Sequence, residues 1–328
     1  MKLVTIYGGS GFLGRHVARR MAQAGWRVRV AVRRPAEAGF VRTYGTVGQV
    51  EPVLCNIRDD ASVAAAMSGA DAVVNAIGIL AEGGRNSFEA IQNEGPARVS
   101  RLAAVAGIER VVHISAIGAD ADSKSGYART KALGEEAVRS HVQSAVILRP
   151  SIMFGSGDSF FNRFAGLTRF GPVLPIVGGE TLFQPVYVDD VAMAVAKSVL
   201  GQVAAGTYEL GGPEVDSLRG LMQRMLVVIR RRRMIVNIPF WAARVMASFF
   251  EFFGKISLGL APVPFTRDQV ENLQRDNVVV DGVKTLADLG ITPVAMEAVL
   301  EEYLWRFRPS GQYAEIKESA KNLRVGNS

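Results

Sequence analysis

Gly8-Gly9-Ser10-Gly11-Phe12-Leu13-Gly14 follows directly on an apolar run at residues 3–7 and opens a helical pattern. Few local features narrow the choice of fold as much. Gly8 permits the tight turn out of the strand, Gly11 lets backbone approach a pyrophosphate, and Gly14 lets the helix pack close to the strand. The start of the helix offers free N–H groups and a positive dipole end to an anion. Strand, glycines and helix in this order predict a dinucleotide-binding turn built from Gly8, Ser10, Gly11, Phe12, Leu13 and Gly14.

The rest of the first half agrees. Apolar runs at 3–7, 27–32, 49–55, 72–76, 110–115 and 145–149 alternate with helical stretches at 12–24, 61–67 and 96–106. Such alternation implies right-handed crossovers and a parallel sheet covered on both faces, a Rossmann-type doubly wound α/β fold. After Pro150 the pattern loosens, then tightens at 183–199 and 207–210. Beyond 212 come a helix at 218–229, the run Arg230-Arg231-Arg232-Arg233, a strand-like 234–238, an aromatic-rich helix and a last helix near 296–307. The expected division is a dinucleotide-binding domain at 1–212, to which 151–182 belongs only in part. A smaller, mainly helical C-terminal domain at 213–308 and an extended polar tail at 309–328 follow.

The end of the second strand bears on the choice of nucleotide. An NAD site places Asp or Glu there, about 20 residues after the glycines, to accept from the ribose hydroxyls. Here the strand ends Val32-Arg33-Arg34-Pro35, with no carboxylate before Glu37. Arg33 or Arg34 can bond a 2′-phosphate, so NADP(H) is expected over NAD(H). Asn56-Ile57 after the third strand suits an adenine edge, and Asp59 reads as a helix cap. Ala76-Ile77-Gly78 after the fourth strand lets a cofactor lie against backbone.

Composition excludes several classes. One cysteine, Cys55, allows no intrachain disulfide, and three scattered histidines, His16, His113 and His141, lack ligand spacing, so no metal site is expected. No apolar run is long enough to span a bilayer, and the first strand opens so early that no leader segment is expected. The net charge of +7 and pI of about 9.7 favour anionic partners. No nucleic-acid module accompanies that charge, so nucleic acid is not expected.

Ser115 ends the fifth strand, and Tyr127-Ala128-Arg129-Thr130-Lys131 opens the next helix with Tyr127 and Lys131 on one face. A lysine beside a phenol is expected to lower its pKa, and a serine hydroxyl can hold a carbonyl. With this strand order, these residues resemble the short-chain dehydrogenase/reductase superfamily in its extended and atypical branches. Asn93, Leu148-Arg149-Pro150-Ser151, Phe154-Gly155 and the segment from Gln184 to Val191 extend the resemblance. A narrower likeness lies in Ser159-Phe160-Phe161-Asn162-Arg163-Phe164, Arg169-Phe170-Gly171-Pro172, Phe183-Gln184-Pro185-Val186-Tyr187-Val188 and Phe265-Thr266-Arg267-Asp268-Gln269-Val270-Glu271. These look like the family of NADPH-binding accessory subunits of respiratory complex I, in a bacterial form. The resemblance implies bound NADPH, partners among the other complex I subunits, and a peripheral position on the cytoplasmic face of a bacterial inner membrane with some lipid contact. It carries Ser115, Tyr127, Lys131 and Pro150 into the cofactor site. Ser115 and Tyr127 are separated by a short segment for the extended branch, and Tyr127 and Lys131 can hold a ribose without turnover. The alternative is an active NADP-dependent reductase, dehydratase or epimerase acting on a nucleotide sugar, lipid or quinone-like carbonyl, with Ser115, Tyr127 and Lys131 catalytic.

From Phe240 the pattern predicts a helix with Arg244, Ser248, Glu251 and Lys255 on one stripe and apolar residues, Trp241 and Phe249 among them, around most of the remainder. Such a face is buried in the chain's own core, in a partner groove or at a membrane interface. Arg230–Arg233 reads as a solvated face or as a site for acidic headgroups.

Overall fold

The structure is a computed structural model that describes residues 1–256, 265–309 and 311, the side chains of 252–256 excepted. The first half builds β1 (Leu3–Tyr7), α1 (Phe12–Gln23), β2 (Arg27–Val32), β3 (Val50–Leu54), α2 (Asp60–Met67), β4 (Ala72–Asn75), α3 (Glu94–Val105), β5 (Val111–Ile114), α4 (Gly126–His141) and β6 (Val146–Pro150). Further on come β7 (Met153–Phe154), α5 (Phe161–Leu167), β8 (Val173–Val177), β9 (Leu182–Phe183), β10 (Val186–Tyr187), α6 (Val188–Val199) and β11 (Gly206–Leu210). The remaining elements are β12 (Asp216–Ser217), α7 (Leu218–Val228), β13 (Met234–Ile238), α8 (Phe240–Ile256), α9 (Arg267–Asn272) and α10 (Glu297–Leu304).

Seven parallel strands form the central sheet in the order β11-β6-β5-β4-β1-β2-β3. The chain moves outward from β1 through β2 to β3, then returns to start β4 on the other side of β1. The crevice at the carboxyl ends of β1 and β4 is therefore the topological switch point, where α/β sheets bind ligands.

Strand residues alternate between two helical layers. Val4, Ile6, Val30, Val112 and Leu148 pack with Val17 and Met21 of α1 and Val191 and Val195 of α6. Tyr7, Val73 and Val111 face the other way, onto Val63, Val99 and Val138 of α2, α3 and α4. Arg20 of α1 donates two bonds to Asp189 of α6, at 2.8 and 2.6 Å. Against the penalty of its burial, bonds from His16 and Arg20 hold the Asp189 carboxyl well below the usual range.

A second core gathers Phe154, Phe161, Leu174 and Phe183 with Leu221, Met222 and Met225 of α7 and Leu300 and Leu304 of α10. Residues 284–291 leave it to rejoin the first layer: Lys284 bridges Tyr208, and Leu286, Leu289 and Ile291 pack into the α1–α6 core. The sequence pattern alone had marked these residues as part of the C-terminal unit.

Arg231 and Arg233 are not simply solvated. Arg231 Nε donates to the Phe307 carbonyl at 2.8 Å and Arg233 Nε to the Thr168 carbonyl at 2.9 Å. Arg230 takes a positive φ of 52° in a Schellman turn, in which Arg231 N–H bonds Leu226 O at 3.0 Å. Glycine is the usual residue at that position, because it has no Cβ to clash there.

Of the three settings open to α8, the chain's own core takes only one side of it. Its inward face is made of small residues, Ala243 and Ala247, packed on Val270 of α9. Trp241, Val245, Met246 and Phe249 remain 70, 65, 38 and 58% exposed. Of the side chains expected on the polar stripe and apolar face, those of Lys255, Phe252 and Phe253 lie outside the described residues, as does the tail beyond 309 except Gly311. Among the described residues no helix is long and apolar enough to cross a membrane.

Candidate functional site

The glycine turn sits at the switch point. Gly8 has φ of 78°, and a Cβ there would lie 3.0 Å from Ile77 Cγ1 and 3.1 Å from Ala76 O. The turn is closed by Gly8 N–H to Ala31 O at 3.0 Å and Gly11 N–H to Gly8 O at 3.0 Å. Gly14 is the tightest position: a Cβ there would stand 2.2 Å from Gly8 O and 2.7 Å from Gly9 Cα. α1 thus rests directly on the turn. Gly11 is its N-cap residue, no side chain caps it, and its first turn holds no acidic residue. A helix start left without a side-chain cap or a carboxylate has free N–H groups to offer an anion.

Arg33 and Arg34 stand exposed at the end of β2. Arg34 Nη1 pairs with Glu37 at 3.0 Å, whereas Arg33 has no ion-pair partner among the described residues. After β3, Asn56 is exposed and its Oδ1 accepts the Arg58 N–H at 3.2 Å. Ile57 instead turns inward to the cluster of Ile91 and Val99. Asp59 caps α2 by accepting the Ser62 N–H at 2.7 Å, as the sequence suggested.

On the far side of β4, Lys131 of α4 is buried, and its Nζ donates to Ile114 O at 3.1 Å, one residue before Ser115. The same ammonium lies 5.9 Å from the Tyr127 ring centroid and 3.5 Å from where a Gly78 Cβ would be. Ser115 is buried with its hydroxyl unpaired, at 3% exposure. An orphaned buried hydroxyl costs about 1–3 kcal/mol unless something bonds it. Pro150 ends β6, and its carbonyl accepts the Ile117 N–H at 3.2 Å. The short segment between Ser115 and Tyr127 closes on itself through Asp120 N–H to Ala128 O at 3.2 Å.

The expected lowering of the Tyr127 pKa does not occur. Burial, followed by the charge of Asp268, pushes the phenol up to about 12. Lys131 is itself weakened as a cation, lowered to about 8 by burial despite Glu135. A lysine that is partly discharged by its own desolvation does little for a neighbouring phenolate. Phe88 packs edge-on against the Tyr127 ring at 5.9 Å.

Two features of the site gave no signal in the sequence. His113, beneath Ser115 on β5, is buried with Nε2 unpaired, and its Nδ1 lies 3.4 Å from Asn75 Nδ2. Burial, then the charges of Lys131 and Arg139, drop its pKa to about 3. Asp268, far along the chain, bonds the start of α4. Among the described residues no group of His, Cys, Asp and Glu is placed to hold a metal ion.

Three features fit a dinucleotide: glycines that let α1 rest directly on the turn, an uncapped helix start, and the orphaned Ser115 hydroxyl. Comparison with known proteins agrees. Residues 4–211 match the NAD dependent epimerase/dehydratase family. NADH dehydrogenase [ubiquinone] 1 alpha subcomplex subunit 9, mitochondrial, from Arabidopsis thaliana is 34% identical over 94% of this chain and 79% of its own length. The Mus musculus protein of the same name is 32% identical over 99% of this chain and 85% of its own. A crystal structure of the Thermus thermophilus UDP-glucose 4-epimerase complexed with NAD superposes with a TM-score of 0.69, covering 94% of this chain and 99% of that one at 19% identity. That last likeness bears on the fold alone.

Proposed function

The chain belongs to the NAD dependent epimerase/dehydratase family and, within it, to the family of the complex I alpha subcomplex subunit 9 proteins; from that premise we propose that it is an NADPH-binding accessory subunit of a membrane-bound NADH:quinone oxidoreductase. The observation that carries this reading is the reach of the likeness, which runs past residue 211 through the C-terminal segment. A shared fold alone would not require that segment to match.

A nicotinamide dinucleotide is the cofactor of this family, and when bound it can supply or accept a hydride. The N–H groups at the start of α1, with Gly8, Ser10, Gly11, Phe12, Leu13 and Gly14 around them, would take its pyrophosphate. Arg33 and Arg34 would take a 2′-phosphate, which favours NADPH over NADH. Asn56 would border the adenine, the inward-turned Ile57 supporting it from the core, and Ala76, Ile77, Gly78 and Pro150 the nicotinamide half. The Ser115 hydroxyl, Lys131 and the neutral Tyr127 phenol would hold the nicotinamide ribose or carboxamide. A phenol that keeps its proton can donate a hydrogen bond to the ribose and serves poorly as a general base. Nucleotide bound only to the folded chain stabilises it by RT ln(1 + [L]/Kd).

The exposed aromatic face of α8 suits a peripheral seat beside the membrane, against other complex I subunits or lipid on the cytoplasmic face of a bacterial inner membrane, where the exposed Arg232 would add a contact to acidic headgroups. Purification of the native protein from membranes tests the reading. Complex I subunits are expected to accompany it, with NADP(H) released on denaturation. A companionless, wholly soluble protein, or one that releases mainly NAD(H), would overturn it.

A further inference from the structure

Tyr127 lies on the first turn of α4, and two different parts of the chain hold that helix end. Ser125 caps it locally, its hydroxyl accepting the Ala128 N–H at 3.2 Å. The other support comes from 142 residues away: Asp268 Oδ1 accepts the Gly126 N–H at 2.6 Å, and its Oδ2 accepts the Ser125 hydroxyl at 3.1 Å. A helix start favours a carboxylate through its free N–H groups and its dipole.

α9, which carries Asp268, is fixed on both sides of this contact. Gln269 Nε2 donates to Leu80 O at 2.9 Å, in the segment after β4. Arg275 pairs with Asp120 at 3.0 Å, in the segment after β5. α9 and the residues just after it therefore touch the segments that follow β4 and β5 and the start of α4, the helix that leads from β5 to β6. It is well built for this. Thr266 and Gln269 form a reciprocal capping box at its start. Arg244 and Glu251 of α8 grip its flank through Glu271 at 3.3 Å and Arg267 at 2.9 Å.

We propose that Asp268 is a positioning residue of the nucleotide site, holding the start of α4 so that Tyr127 meets the dinucleotide and making nucleotide retention depend on the C-terminal segment. This rests on the dinucleotide reading given above. The charge of Asp268 acts in the same sense as its bonds. The charged groups near Tyr127 are Lys131 on its own helix, Arg129 at the same helix start and Asp268 from α9, and the carboxylate disfavours a phenolate beside it. Asp268 thus holds the start of the helix that carries Tyr127 and adds to the burial that raises the phenol's pKa.

The test uses the full chain, its Asp268→Asn and Asp268→Ala forms, and Tyr127→Phe as the spectroscopic reference. NADPH affinity is measured by fluorescence titration, and Tyr127 ionisation by tyrosinate absorbance against the reference. Asp268→Ala removes both carboxylate bonds to the start of α4 and should weaken NADPH by about tenfold. Asp268→Asn, which keeps the shape and an acceptor, should recover part of that affinity while Tyr127 ionises at lower pH than in the parent. A helix cap with no role at the site would be rescued by asparagine without moving the Tyr127 titration, and that result overturns the proposal. So does unchanged NADPH affinity in both variants. If the parent chain binds neither NADPH nor NADH, the dinucleotide reading itself fails, and the Tyr127 titration still reports separately whether Asp268 acts on the phenol.

Discussion

The Gly8 carbonyl oxygen lies 2.2 Å from the point where a Cβ on Gly14 would stand, so the first turn and the first helix share one backbone contact. Neither partner is a flexible side chain that could move aside. Gly14→Ala should therefore push α1 off the turn, costing roughly 1–3 kcal/mol of stability as overpacking does. Thermal unfolding with and without NADPH checks this. The nucleotide-induced rise in Tm should shrink as well, because the displaced helix start no longer faces the crevice.

Cofactor choice separates two adjacent arginines. Arg34 is already held by Glu37, while Arg33 has no ion-pair partner among the described residues. Arg33→Ala should weaken NADPH by about tenfold or more, the value of a charge-assisted bond, and leave NADH nearly unchanged. Arg34→Ala should cost less, since Glu37 competes for that guanidinium. Equal losses for the two nucleotides in both variants would remove the 2′-phosphate argument.

Stability should depend on pH through His113. Its folded pKa of about 3 lies below the unfolded value of about 6.5, so the unfolded chain takes up the proton first. The contribution is fully present above about pH 6.5 and is lost progressively as pH falls toward 3. His113→Gln should flatten the denaturant-midpoint profile across that window while leaving the alkaline side unchanged.

Tyr127→Phe distinguishes holding from turnover. The variant should bind NADPH more weakly by one hydrogen bond, about 0.5–1.5 kcal/mol, and leave the NADH:quinone activity of the membrane complex nearly intact. A defined carbonyl substrate reduced at enzyme-like rates by the parent and not by the variant would favour an active reductase instead.

The exposed face of α8 makes a separate prediction. Trp241→Ser with Phe249→Ser removes side chains that are 70 and 58% exposed, so stability should change by no more than about 0.5 kcal/mol. Co-purification with complex I subunits should fall sharply in the same variant. High salt alone should loosen the parent only in part, because apolar burial is not screened.

The parts of the fold that were legible in the sequence rest on local periodicity. The glycine turn, the alternating strands and the Asp59 cap each depend on residues within a few positions of one another, and sequence spacing reports such contacts directly. α8 shows where that logic stops. Its aromatic residues marked an apolar helix, yet the fully buried face against α9 is formed by Ala243 and Ala247, a contact with a segment distant in sequence. Nothing in the sequence around Asp268 indicates that it reaches Gly126, 142 residues away. The Tyr127 pKa was misjudged for the same reason: spacing revealed the lysine on the same helix, but not the burial or the distant carboxylate that outweigh it.

The bidentate bond between Arg20 and Asp189 joins residues 169 positions apart. At a synthesis rate of about 5–20 residues per second, roughly ten to thirty seconds separate the emergence of one from that of the other. Through that interval Val17, Ala18 and Met21 of α1 lack the α6 residues they pack against in the finished protein. The nascent chain thus carries a complete glycine turn on a half-covered layer. Chaperone capture, proteolysis and self-association act on this stage, and a ribosome that stalls before residue 188 releases a fragment unable to cover α1.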